Sequence, residues 1–194
     1  MGNRTLIAAL AICFGVSGLA SAADTNYVVN SNETFVCDAT IVGNDNAYIT
    51  AYSGAVIEVA KKDIHPHIHI MDGEVTVRPA EGVSLSSLLF ASGLWVEPGA
   101  TLKVGAGVKS IAAGRTNVGS TQVNFPIIDV QDVRFEDEDA TGIVLENKVT
   151  VRSLPAVGTC PVAVADGATL ALQTSGDASL LPYLSDDPDA LALD

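Results

Sequence analysis

The chain has three histidines, and all stand at alternate positions of one run, Asp63-Ile-His-Pro-His-Ile-His-Ile-Met-Asp72. In an extended strand, side chains two apart lie on the same side about 7 Å from each other. His67 and His69 would then be close enough to share one divalent metal ion, and Glu74 is placed to add an oxygen ligand. The plainer reading is a hydrated histidine stripe with His65, His67 and His69 outward and Ile64, Ile68 and Ile70 inward. Two or three ligands from a single strand seldom close a metal site.

Other residues offer less. Asp129, Asp132 and the acidic run at 136–139 supply oxygens of the kind Ca²⁺ takes. They lack the spaced Asp-x-Asp-x-Asp-Gly loop, so a solvated turn is the simpler account. Lyase chemistry would add a basic residue to take the proton α to a carboxylate; Arg115, Arg134 and Arg152 are available, and nothing singles one out. No Gly-x-Ser-x-Gly element exists, and neither Cys37 nor Cys160 sits in a catalytic motif. Aromatic residues are 5% of the chain, and Trp95, between Leu94 and Val96, reads as core, which argues against a sugar-stacking platform. Asn32-Glu-Thr34 would be a glycan acceptor in a eukaryotic setting.

The elements that must carry these residues are strands. A glycine followed by alternating apolar and polar residues recurs at Gly54, Gly73, Gly99, Gly142 and Gly167, in steps of 19, 26, 43 and 25 residues. A turn residue feeding a half-buried strand at such intervals marks stacked β-coils. After Gly54, Gly99 and Gly167 the first, third and fifth residues are apolar, which predicts a core ladder through Ile57, Leu102 and Leu170. The Gly73 copy is out of phase by one residue and requires a bulge or a shifted turn. Val123, Phe125 and Ile127, alternating with Gln122, Asn124 and Pro126, can fill the wide step as a further coil, with Pro126 at an edge or corner. The one helix candidate is residues 83–91, where Leu85, Leu88 and Leu89 share a face.

Residues 1–22 read as a secretory signal peptide, with Arg4, an apolar stretch from Leu6 to Leu19 and Ala20-Ser21-Ala22 for cleavage. The apolar stretch is too short and too broken by glycine and serine to span a bilayer, and no later segment could. Residues 23–173 would form the coiled domain, with residues 27–42 a candidate N-terminal cap. Residues 174–194 read as an acidic cap or flexible tail. Loss of the leader takes the formal net charge from −13 to −14, a field that repels nucleic acid and anionic lipid.

Cys37 and Cys160 are 123 residues apart, about five coils. With coils stacked about 4.8 Å apart, that is on the order of 24 Å. A disulfide needs α-carbons within roughly 7 Å. A regular solenoid therefore predicts two unpaired thiols, or pairing between molecules.

The pattern Gly-Ala-Thr-Leu-x-Val/Leu at Gly99 and Gly167 resembles the coils of exported parallel β-helices, such as autotransporter passenger domains and proteins of pectin-lyase-like fold. That resemblance implies a right-handed coil over residues 48–173 and adhesive, scaffolding or polysaccharide-cleaving roles. The chain leaves no room after its coils for a membrane-inserting barrel of the autotransporter kind. His67, His69 and Glu74 also resemble the first motif of the cupins, which implies a metal-binding β-roll. Against it, Gly82 falls one residue late, and Leu102 stands where that family's second motif, here Pro98-Gly99, would place its fourth ligand histidine.

Taken together, the residues predict an all-β, single-domain parallel β-solenoid of about six coils with capped ends. The expected function is that of a secreted or cell-surface, non-enzymatic protein with a structural, matrix or adhesive role; a periplasmic site is compatible. The expected partners are an extracellular polysaccharide, a surface protein or further copies meeting through coil ends. No cofactor is expected beyond a divalent metal at His67, His69 and Glu74. The alternatives are the cupin-like metal-binding roll and a small polysaccharide lyase.

Overall fold

In a computed structural model, residues 24–115 and 125–173 are described, and all seventeen strands among them belong to one parallel β-solenoid. The chain visits three faces in turn. Face A is a seven-stranded sheet whose first five strands are β1 (Thr25–Val29), β3 (Ala47–Ala51), β6 (His67–Ile70), β9 (Gly93–Val96) and β12 (Ile127–Asp129). It is completed by β15 (Lys148–Ser153) and β17 (Thr169–Leu172). Face B stacks β2 (Thr34–Cys37), β4 (Val56–Val59), β7 (Glu74–Pro79), β10 (Thr101–Val104) and β13 (Val133–Phe135). Face C stacks β5 (Asp63–Ile64), β8 (Ser87–Phe90), β11 (Ser110–Ala113), β14 (Gly142–Leu145) and β16 (Val162–Val164).

Every ladder between these strands is parallel, so each coil lays its strands on the equivalents of the coil before. The result is about six coils, the architecture the repeated glycine strands imply. An antiparallel double-stranded roll of the cupin kind is not the fold.

Alternation drives the core. Within face A, Ile49, Ile68, Leu94, Ile128 and Val151 occupy one register column and are all buried. Face B adds Ile57, Val77 and Val104 in one column, with Val75 and Leu102 beside them in the next. Face C closes the triangle with Leu88, Ile111 and Ile143. The stacking places like beside like along the axis, and one cluster of buried residues runs through the whole rod.

Several expectations need correcting. The recurring glycines do not all mark one corner: Gly54, Gly73 and Gly99 precede face B strands, whereas Gly142 opens a face C strand and Gly167 precedes a face A strand. Ile57 therefore pairs with Val77, Leu102 with Val75, and Leu170 with Val149 on another face, so the Ile57, Leu102, Leu170 ladder does not form. Residues 83–91 are not helical; Leu88 and Phe90 alternate inward from β8 and pair with Ile111 and Ala113. The coil expected around residue 125 exists as β12, but reversed, with Ile128 and Val130 buried and Phe125 and Ile127 on the outer side. Pro126 precedes a central strand, where its carbonyl accepts from Thr150 N–H. Residues 27–42 are a coil in their own right through β1 and β2.

The phase slip at Gly73 is resolved by the turn and not by a bulge. Pairing of β7 with both β4 and β10 is continuous. Gly73 sits one residue closer to its strand, at φ 54°, and a Cβ there would come 2.1 Å from Ser53 Oγ. Only glycine combines that dihedral with that approach. The leader at 1–22 and the tail at 174–194 lie outside the described residues.

Candidate functional site

Face A is the broadest sheet, and its outer surface carries the histidines. Strand alternation buries Ile64, Ile68 and Ile70 and turns His65, His67 and His69 outward, as the spacing predicts. His67 pairs with Tyr48 on one side and Gly93 on the other. Its ring stacks on Tyr48 with centroids 4.5 Å apart and planes 9° from parallel. On its other face lies Trp95, at 5.4 Å and 30°.

Trp95 is not core. Leu94 and Val96 point inward, so the residue between them must point out. Its indole then folds back across the neighbouring position in its own strand. A Cβ at Gly93 would lie 2.4 Å from the Trp95 ring, so the absent side chain is what lets the indole reach His67. Tyr48, His67 and Trp95 thus make a three-ring stack from three successive coils.

Burial lowers the His67 pKa from its ordinary value, against the opposing pull of the Asp45 and Asp24 charges. Its Nδ1 is buried without a hydrogen-bond partner among the described residues. The flanking histidines are both engaged. His65 Nδ1 donates to Asp45 at 2.8 Å, and His69 Nε2 donates to Glu97 at 2.5 Å.

Asp45 is the hub of one edge of this face. It also accepts from Arg115 at 2.9 Å, and Ser92 Oγ stands 3.5 Å away. Burial acts to raise the Asp45 pKa, but the hydrogen bonds and positive charge of His65 and Arg115 outweigh it and hold the carboxyl below its usual value. At the opposite edge, Ser153 donates to Asp129 at 2.5 Å and Arg152 donates to Gln173 at 3.3 Å. Two open grooves lie between these edges, of about 620 and 560 Å³. Trp95 and Gln173 line both, so the grooves adjoin at these two residues.

The metal-ligand trio does not converge. His67 is held between aromatic rings, His69 is tied to Glu97, and Glu74 belongs to face B, where the Lys103 Nζ stands 3.9 Å from it. Among the described residues no three His, Cys, Asp or Glu side chains gather around a common point for a metal ion. The acidic run serves as a clamp between coils: Glu136 accepts from Ala106 N–H and pairs with Lys103, Asp137 accepts from Gly107 N–H, and Asp139 pairs with Lys109. Asp132 is likewise engaged, by Thr101 and Arg134. Of the three candidate bases, Arg115 and Arg134 are ion-paired, and Arg152 faces the second groove.

What sequence reasoning missed was legible in part. The alternation of Leu94 and Val96 already turns Trp95 outward, and Gly93 beside it signals a close approach. Asp45 carried no such signal, because its partners His65 and Arg115 are 20 and 70 residues away. No protein-family model matches this chain, and neither a curated protein nor a solved structure matches it.

Proposed function

We propose that the protein is an exported β-solenoid that serves at a cell surface or in an extracellular matrix as a structural and adhesive element, without a reaction of its own. The observation that carries this reading is the grooved, aromatic outer surface of face A on a regular stack of coils. Successive coils are joined along face B and its turn toward face C by ion pairs such as Arg78 with Glu58, Lys103 with Glu136 and Lys109 with Asp139. Face A has such pairs too, as Asp45 with Arg115 shows, and it presents in addition an outer surface with two adjoining grooves and an aromatic strip. Repeated coils make a stiff support for an extended contact surface. The leader-like residues 1–22 and the strongly acidic composition favour export and solubility.

The test is to fractionate native cells and measure the mass of the protein. The expected result is a chain beginning at Ala23, found in the medium, the periplasm or bound to the cell envelope. An unprocessed chain confined to the cytosol would contradict the reading.

A further inference from the structure

We propose that the two adjoining grooves of face A form one binding site for a neutral, hydroxyl-rich glycan chain, centred on Trp95. Three observations converge on this ligand class. The first is the aromatic surface. His67 stacks on the Trp95 indole and His69 meets it at a tilt, at 6.3 Å and 57°, while the half-buried indole still borders both grooves. Trp95 borders both grooves, so a chain crossing from one to the other must pass it. The C–H face of a pyranose ring is apolar and matches an indole in width, while its hydroxyls project sideways toward polar groups.

The second is the polar lining. On one side, Asp45 and Arg115 are fixed by each other; on the other, Asp129 is fixed by Ser153 and Arg152 by Gln173. These planar groups offer acceptors and donors side by side. A hydroxyl is both a donor and an acceptor, and so can use such mixed pairs at either end. Because the pairs are already held in place, binding orders little and loses little entropy.

The third is charge. The formal net charge is −13, and the groove carboxylates offset its arginines. A polyanion would meet a repulsive field over the whole molecule. A neutral chain meets none, and open grooves of this kind suit the side of a polymer better than a small enclosed ligand.

This inference rests on the adhesive reading for its setting, and the two fail separately. Trp95 is the sole tryptophan, so its emission reports on the site directly. The experiment titrates the chain from residue 23 to 194 with cellohexaose, xylohexaose and hexagalacturonate, with calorimetry in parallel. At least one neutral hexasaccharide should change the emission saturably. Trp95→Ala should weaken its binding by about tenfold or more. Arg152→Ala, at an exposed groove edge where folding is not at stake, should weaken it less, and Lys61→Ala, an exposed residue outside both grooves, not at all. Hexagalacturonate should bind at least about tenfold more weakly than the neutral chain.

The inference is overturned if neither neutral hexasaccharide gives a saturable signal. Equal binding by a folded Trp95→Ala variant overturns the site, and, should that variant not fold, equal binding by Arg152→Ala does so. Equal binding of hexagalacturonate overturns the ligand class. A protein that binds none of these sugars yet is found on the envelope leaves the adhesive reading standing; one that binds them but remains unprocessed in the cytosol overturns only that reading.

Discussion

At the scale of single residues, His67 shows how a solvent-side position becomes enclosed. Its neighbours in register are Tyr48 and Gly93, and the glycine admits Trp95, so a polar ring is enclosed by two aromatic ones. Burial lowers its pKa below the ordinary 6.5. A histidine held neutral in the folded state contributes its full stability above the unfolded pKa and loses it as pH falls below that value. Urea unfolding should therefore show the native chain losing stability relative to His67→Phe as pH drops below 6.5, with the gap constant above it. A gap that does not change between neutral and mildly acidic pH would contradict the enclosure of His67. Part of this site was readable in the chain: alternation placed all three histidines outward and three isoleucines inward. Trp95 turns outward despite its hydrophobicity, because the alternation set by buried Leu94 and Val96 fixes its direction.

At the scale of elements, the coil is the unit, and its strands gain stability from neighbours on both sides. Ile68 lies in the interior of face A, fully buried between Ile49 and Leu94. Leu170 occupies the terminal strand and is only partly buried. Ile68→Ala should reduce unfolding stability by about 2–5 kcal/mol, and Leu170→Ala by clearly less, both read from denaturant midpoints. Equal losses would mean that the described end coil is as enclosed as the middle. The existence of coils was legible from glycine-led alternation, because both the turn and the period-two pattern are local. Which face each strand joins was not. Gly54 and Gly167 head similar sequences yet enter different sheets, since the corner they occupy depends on how much chain the preceding turns consume. The leucines of residues 83–91 fit a helical face locally, but pairing of β8 with β11 on face C overrides it.

At the scale of the whole molecule, the described coils form a rod with one face unlike the other two. The separation of the cysteines follows from it: Cys37 lies in the first described coil and Cys160 two residues before β16, both free and buried. Burial, with the Asp38 charge, pushes the Cys37 thiol up to about 12, which leaves it unreactive in the folded state. The acidic residues that resembled a cation site hold successive coils together instead, and the proposed recognition surface is the pair of grooves on face A. The most direct test of that assignment is oxidative footprinting of the protein alone and bound to the envelope or matrix fraction with which it is recovered. Protection should concentrate on Tyr48, Trp95 and Phe125, while Val36 and Phe35 of face B keep their reactivity. Protection centred on face B, or none on Trp95, would contradict the account.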